Sequence, residues 1–307
     1  MKKLFVSLVV TVIANFTFIA CGNTSANKES TTNYGNANPF VPGQQFRDYW
    51  FAGQAEITSF TLSQARYGEL TNGTAVLIYV TEDFLPGKQV KADNQSDKNI
   101  PVLKLNSTKD FNTGIYPYHI MQSSFYPLAD NAHALKLTAS VQEWCGQAYT
   151  QLNNKKSFEI MSHSYFENEA DQQQSIAPVI LENELWNKIR IRPELLPVGK
   201  QNIMPSLEYC RLMHKEIKAY EASAVLTKDN NIYSYTIQYP ELGRDISIKF
   251  SAVFPYDILG WTETYPQAAN SANKLTTVAT KMKQLKIDYW TKNKNQHLIL
   301  RDSLGLR

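Results

Sequence analysis

Most of this chain alternates apolar and polar residues with a period of two, and that period constrains the fold more than any other feature. Leu135, Leu137, Ala139 and Val141 alternate with Lys136, Thr138, Ser140 and Gln142. Successive side chains of a strand point to opposite faces, so such a run suits one face on a core and one on water. Tyr233, Tyr235, Ile237 and Tyr239 alternate with Ser234, Thr236 and Gln238, and Ile246, Ile248 and Phe250 with Ser247 and Lys249. Pro240-Glu241-Leu242-Gly243-Arg244 lies between these two runs and predicts a hairpin. Thr71-Asn72-Gly73-Thr74 predicts a second, with Asn-Gly in a type I′ turn joining a strand that ends near Leu70 to one over 75–80. Further strands are expected at 49–60, 101–106, 115–125, 147–153 and 157–167.

Helical spacing is scarcer. Leu207, Cys210, Met213, Ile217 and Tyr220 follow Pro205-Ser206 at three- and four-residue steps and predict a helix. A short helix is expected over 181–190 around Trp186. The run 275–289 accommodates helix and strand alike. No linker divides 46–307, so the expected fold is mainly β (α+β): a single large, curved antiparallel sheet domain with one or two covering helices. Antiparallel sheets tolerate one solvated face, as the alternation requires. With 43% hydrophobic and 19% charged residues the chain has material for a core and is not of the disordered class. A formal charge of +3 with no concentrated basic face points away from nucleic acid as a partner.

The N-terminus carries a second pattern. Lys2 and Lys3 precede a mostly apolar run, Leu4 to Ala20, and Cys21 follows. The charge layout fits a secretory signal better than a membrane span. Phe18-Ile19-Ala20-Cys21 resembles a bacterial lipobox. That resemblance implies removal of residues 1–20, acylation of Cys21 with fatty acid such as palmitate, and a bilayer-anchored protein of the cell envelope facing the periplasm or the cell surface. Cleavage takes away Lys2 and Lys3, two of 31 basic residues, leaving 29 against 28 acidic. Residues 21–45 are rich in Ser, Thr, Asn and Gly and read as a polar tether.

Signals for chemistry are sparse. Cys145 and Cys210 are candidates for an internal disulfide or for two separate thiols. Trp144-Cys145-Gly146 resembles the start of a thioredoxin motif, but Ala148 stands where its second cysteine belongs. Nucleotide-binding, nucleophile-elbow and metalloprotease patterns are lacking, and the five histidines do not have zinc spacing. No metal or cofactor is therefore expected. From Ser157 to Asn187 there are six carboxylates and no Lys or Arg, which reads as a solvated loop. From Lys281 to Arg307 there are seven basic residues and two acidic, a composition suited to anionic lipid headgroups. In the run 157–167 one face holds Glu159, Met161, His163, Tyr165 and Glu167, the other Phe158, Ile160, Ser162, Ser164 and Phe166. Such mixing suits the wall of a partly wet cavity. Trp144, Tyr149, His163, Tyr165 and Glu167 are the candidate ligand-binding residues.

His119-Ile120-Met121-Gln122-Ser123-Ser124, Glu143-Trp144-Cys145-Gly146-Gln147, His163-Ser164-Tyr165-Phe166-Glu167 and Asp288-Tyr289-Trp290 resemble segments of a group of bacterial envelope lipoproteins. Some of that group bear the label septum formation inhibitor Maf. The Ser-x-Ser-Pro-Arg-Arg start of the true Maf pyrophosphatases has no counterpart in this chain. The resemblance implies no particular activity. Three functions follow as expectations. The first is a non-enzymatic lipoprotein whose curved sheet holds an apolar or amphipathic ligand, in the manner of periplasmic lipoprotein carriers. The second is a carbohydrate binder that stacks Trp and Tyr on sugar rings. The third is an enzyme using His163 and Glu167. A deep apolar pocket favours the first, an exposed aromatic platform the second, and a cleft joining His163 to His119 or His214 the third.

Overall fold

The computed structural model describes residues 38–130, 132–267 and 273–306. Cys21, the apolar run before it and the polar stretch to residue 37 lie outside the described residues. The described chain opens with β1 (Asn38–Pro39), which pairs with β7 (Ala129–Asp130). Helix α1 (Gln44–Trp50) follows, burying Phe46 and Trp50, so folded structure starts several residues before Phe46. The strand expected over 49–60 is thus the end of α1, a short turn, and the start of β2 (Ala55–Arg66).

Two long hairpins lead the main sheet: β2 with β3 (Glu69–Leu85), and β5 (Ile100–Thr113) with β6 (Tyr116–Pro127). The short β4 (Val90–Lys91) folds back on the end of β3. β8 (Lys136–Glu143), β9 (Gly146–Asn154), β10 (Phe158–Ser164) and β11 (Gln172–Ile176) carry the meander to one edge. After β12 (Ile180–Leu181) and helix α2 (Glu182–Ile191), the second half begins with β13 (Gly199–Met204) and helix α3 (Leu207–Leu212). It continues through β14 (Tyr220–Asp229), β15 (Ile232–Tyr239), β16 (Arg244–Ser251), β17 (Ile258–Pro266) and β18 (Lys274–Ile287). The halves join where β18 pairs with β2, Leu285 opposite Ile57. In space the strands run β11-β10-β9-β8-β6-β5-β3-β2-β18-β17-β16-β15-β14-β13-β12, all antiparallel except the β12–β13 pair. This is the expected mainly-β, curved antiparallel sheet.

Three local readings change. The β2–β3 turn is Tyr67-Gly68, both with positive φ (53° and 83°), and β3 passes straight through Asn72-Gly73. Gly73 serves a different need: a Cβ there would stand 2.4 Å from the Asp110 carbonyl oxygen and 2.7 Å from Phe111 Cβ. The glycine lets β3 and β5 approach, which is the other reason a strand keeps one. The helix expected over 207–220 stops after Leu212. His214 adopts φ 50°, the Lys215 N–H bonds back to the Cys210 carbonyl, and Tyr220 starts β14. The ambiguous run 275–289 is β18, with the period of two prevailing.

Neighbours in an antiparallel sheet reverse direction, so its turns alternate between two rims. One rim, the upper, carries the β2–β3, β5–β6, β8–β9, β10–β11 and β15–β16 turns together with α3. The lower rim carries the β3–β5, β6–β8, β9–β10, β14–β15 and β16–β17 connections, and β1 lies there. The concave face packs Leu137, Leu152, Phe158, Ile237, Ile248 and many others into one core. Each fully buried Leu or Phe contributes about 1.5–3 kcal/mol. Helix α2 lies inside that curve with eight of its ten residues buried. Most of its polar groups are met individually: Asn187 Nδ2 donates to the Leu103 carbonyl (2.8 Å) while its Oδ1 is buried without a partner among the described residues, Arg190 forks onto Glu56 (2.6 and 2.6 Å), and Arg244 onto Glu182 (2.5 and 2.7 Å). On the convex face, Leu304 and Leu306, which follow helix α4 (Ile299–Ser303), cover Ile57. The basic C-terminal stretch is therefore divided between β18 and a packed segment. Among the described residues no helix is long and apolar enough to cross a membrane.

Candidate functional site

The sheet leaves a seam between its edge strand β11 and the second half. Gln174 Nε2 of β11 donates across it to the Ile217 carbonyl in the α3–β14 loop (3.2 Å). Above this bridge is a cleft of about 380 Å³. That is the size range of small-molecule sites.

Strand pairing explains its lining. The concave side of β9, β10 and β11 changes character along its length. Toward the lower rim it presents Leu152, Phe158, Ile160 and Ile176, which join the core. Toward the upper rim the same face presents Thr150, Ser162, Ser164, Gln172 and Gln174. Thr150 and Ser162 hydroxyls lie 3.0 Å apart. Across the cleft, α3 and its loop contribute Leu207, Cys210, Arg211, His214 and Ile217. Burial pushes the Cys210 thiol up to about 12, so it is an inert part of this wall.

One carboxylate organises the mouth. Glu169 accepts from Arg211 Nη1 (2.9 Å) and the Ser164 hydroxyl (2.7 Å), and lies 2.8 Å from His214 Nδ1. The Arg211 guanidinium in turn sits 4.2 Å over the Phe166 ring. Two segments distant in sequence are thereby fixed to one another: the end of β10 with its β10–β11 loop, and α3 with the loop that follows it.

The residues read as candidates from sequence surround this cleft unevenly. His163 is at its edge, 54% exposed and 3.1 Å from Asp171. Its face of β10 is the one opposite Phe158 and Ile160, so the strand lines the cleft through Ser162 and Ser164. Tyr149 pairs directly with His163 and donates its hydroxyl to Gln151 (2.9 Å). Trp144 (68% exposed) and Tyr165 (80% exposed) stand on the upper rim beside the cleft. Tyr165 and Phe166 pack against Gly146, where a Cβ would meet them at 3.0–3.3 Å. Glu167 is exposed in the β10–β11 loop and does not line the cleft.

Cys145 and Cys210 do not form the possible disulfide: Cys145 is a free, exposed thiol in the β8–β9 turn and Cys210 a free, buried one on α3. A hydrogen bond with Glu143 holds the Cys145 thiol above its ordinary pKa, the opposite of what a nucleophile needs. Of the histidines weighed together, His163 and His214 share the cleft, whereas His119 pairs with Asp110 (2.6 Å). His214 was weighed with His163 from the sequence, and the cleft brings the two together. Glu169 and Arg211 were not legible as part of a site: Glu169 read as one member of a solvated acidic loop, and nothing in the sequence singled out Arg211.

A second, nearly closed chamber of about 40 Å³ lies beneath α2, with room for one or two waters. Lys109 pairs with Glu208 (2.6 Å), and Arg244 Nε donates to Glu263 (2.7 Å) while its other nitrogens hold Glu182. Burial raises the Glu208 carboxyl above its ordinary value despite Lys109. Burial also acts upward on Glu182, but Arg244 and Tyr239 outweigh it and hold that carboxyl low. The chamber is a structural core of paired charges rather than a site with access. No protein-family model, curated protein or solved structure matches this chain.

Proposed function

We propose that this protein is a non-enzymatic, membrane-anchored lipoprotein of the cell envelope that binds a hydroxyl-rich ligand of the carbohydrate class at the seam cleft. The observation that carries the reading is the cleft wall: Thr150, Ser162, Ser164, Gln172 and Gln174 project from one continuous sheet face into the cleft, and the exposed rings of Trp144 and Tyr165 stand on the same rim, outside its lining. Hydroxyl and amide side chains exchange donors and acceptors with sugar hydroxyls, and an open aromatic face suits the apolar face of a sugar ring. A purely apolar ligand needs a continuous greasy pocket, and here the apolar lining of Ala148, Leu207, Cys210 and Ile217 faces a wall of hydroxyls and amides.

The Glu169–His214 contact favours a second reading, hydrolysis with His214 as a base, because a carboxylate on Nδ1 fixes the tautomer of a catalytic imidazole. Yet the Ser164 hydroxyl donates to Glu169, not to the imidazole, so this serine is not set up as a nucleophile. Binding is the better-supported role.

Native mass spectrometry and calorimetry against envelope-derived oligosaccharides, with fatty acids and lysophospholipids as the contrasting panel, test the proposal. Saccharide binding weakened about fivefold by Ser162→Ala, the value of one neutral hydrogen bond, supports it. Lipid binding without saccharide binding overturns it. Intact-mass analysis of the membrane fraction tests the anchor: a chain that retains residues 1–20, or an unmodified Cys21, removes it.

A further inference from the structure

We infer that the lower rim rests on an anionic bilayer surface, with the upper rim and its cleft turned away from the membrane. The inference rests on the lipoprotein reading of Cys21 and adds a second, orienting contact to it.

Three observations converge on the lower rim. The first is chain entry. The described chain begins there, where β1 pairs with β7 after the end of β6. Cys21 precedes Asn38 by 17 residues, a contour of about 60 Å at most when extended. An anchor on that length of chain brings this rim to the bilayer without threading past the sheet.

The second observation is exposed apolar surface at connection tips. Val41, Phe51, Val90, Val198, Val253 and Trp290 are all largely exposed on this side, although none lies within the convex sheet face. Trp290 (48% exposed) sits beside Lys91 and the Gly53–Gln54 turn. A ring with an apolar body and a polar N–H next to a lysine is the pair favoured at a headgroup boundary.

The third is charge. Among the described residues, the connections of the lower rim (40–54, 86–99, 128–130, 132–135, 155–157, 192–200, 228–231, 252–257 and 288–298) hold eleven basic and eight acidic residues. Those of the upper rim (66–69, 113–116, 143–146, 165–171, 205–219, 240–244, 266–267 and 273–274) hold six basic and eight acidic. On the lower rim Arg47, Lys88, Lys91, Lys98, Lys156, Lys200, Lys228 and Lys294 are exposed against Asp48, Asp93, Asp97, Glu194 and Asp229; on the upper, Lys274 is exposed against Glu69, Glu167, Asp171, Glu216 and Glu241. The molecule is thus polarised along the rim-to-rim axis. Near an anionic surface each lysine adds attraction, and carboxylates oppose it. The upper rim exposes Tyr67, Ile115, Trp144 and Tyr165 at least as fully, so charge and chain entry, not apolar surface, choose the lower rim for an anionic surface.

The five tryptophans make this testable in the intact, anchored protein. Trp50 and Trp261 are buried and Trp186 partly so, whereas Trp290 and Trp144 report the lower and upper rims. The processed lipoprotein is reconstituted into vesicles containing brominated phosphatidylglycerol, and tryptophan quenching is measured for wild type, Trp290→Phe and Trp144→Phe. Quenching that largely disappears in Trp290→Phe and persists in Trp144→Phe supports the inference. It should also fall by at least half in Lys88→Glu/Lys91→Glu/Lys200→Glu, and in vesicles of brominated phosphatidylcholine alone. Quenching that follows Trp144, or is absent from both, overturns the orientation. Quenching equal in neutral vesicles, or indifferent to the triple reversal, overturns its electrostatic basis. Mass analysis of Cys21 in the same sample reads the anchor separately: an acylated chain with unquenched Trp290 sinks the docking surface alone, and a non-acylated chain with quenched Trp290 sinks the anchor alone.

Discussion

Arg190 and Arg211 each hold a glutamate and each lie against an aromatic ring, yet they occupy opposite physical situations. Arg190 is 1% exposed, grips Glu56 with two nitrogens and lies within about 5 Å of the Trp50 and Tyr79 rings. Arg211 is partly exposed, meets Glu169 through one nitrogen, and borders a wet cleft. Inside the sheet a charge is tolerated only because its partner is fixed; at the seam the pair is partly exposed and screened, although Arg211 Nε itself is buried without a partner among the described residues. Identical residue types thus fix the fold in one region and remain available to a ligand in the other.

The contrast breaks most visibly at Arg190. Arg190→Met leaves Glu56 buried without its cation, and removing one member of a buried pair costs about 3–5 kcal/mol. For a domain of this size that lowers Tm by roughly 6–20 °C, since 1 kcal/mol is about 2–4 °C. Differential scanning calorimetry checks it. The double substitution Arg190→Met/Glu56→Leu should recover part of the loss, because an apolar pair no longer strands a charge. A single variant as stable as wild type would mean that α2 is held by packing alone.

Acid should act on the same interior. Burial works against ionisation of Glu56, Glu182 and Glu184, but Arg190, Arg244 and Lys188 respectively outweigh it, and all three carboxyls sit below the ordinary 4.5. A carboxyl lowered in the folded state binds fewer protons there than when unfolded. Its stabilisation is fully present above about pH 4.5 and is lost as pH falls through the folded value. Glu208, raised by burial, has the opposite sign: its contribution is complete below 4.5 and declines as pH rises through its folded value. Three against one sets the acid limb. Thermal melts between pH 6 and pH 3 should show Tm falling steeply below 4.5, and the Arg190→Met/Glu56→Leu pair should show a shallower fall.

The sheet was legible because a period of two survives wherever one face is buried. That holds from Leu135 to Gln142, in the β15–β16 hairpin and even in β18, where Thr276-Thr277-Val278 had left helix and strand open. Punctuation was less legible. Asn72-Gly73 has the chemistry of a turn, but its glycine answers a contact with Asp110 and Phe111, 37 and 38 positions further along the chain. Tyr67-Gly68 turned the chain without a standard signature. Gly73→Ala therefore discriminates sharply. The added methyl meets backbone, and overpacking of this kind costs about 1–3 kcal/mol, whereas a solvent-facing turn glycine would register far less. A denaturant midpoint unchanged by Gly73→Ala would return that glycine to a turn. The candidate site was legible mainly on one side: the run 157–167 was picked out as a cavity wall, with Trp144 and Tyr149 as its neighbours, although the face that lines the cleft is that of Ser162 and Ser164. Glu169, Arg211 and His214 meet through tertiary folding of the α3 loop against the β10–β11 loop, and no spacing in the sequence encodes that meeting.

The smallest expected change in stability is at Glu169, and that is what makes it informative. Glu169→Gln keeps the size of the side chain and one oxygen acceptor, while removing the charge that holds Arg211 and His214. Because these groups are partly exposed, such a pair contributes about 0–1 kcal/mol, and Tm should move by no more than roughly 4 °C. The cleft should respond more strongly. The Ser164 hydroxyl and the Arg211 guanidinium lose their common anchor, so the hydroxyl wall and the α3 wall no longer have a fixed separation. Ordering loose side chains at a site costs about 0.5–1.5 kcal/mol each. Saccharide affinity should therefore drop about tenfold in calorimetry while the melting curve barely changes. Arg190→Met should give the reverse ratio: a large fall in Tm and, on the fraction still folded, nearly unchanged affinity. If Glu169→Gln instead lowers Tm as far as Arg190→Met does, the seam cluster is a structural brace like the interior, and the distinction between the two arginines collapses.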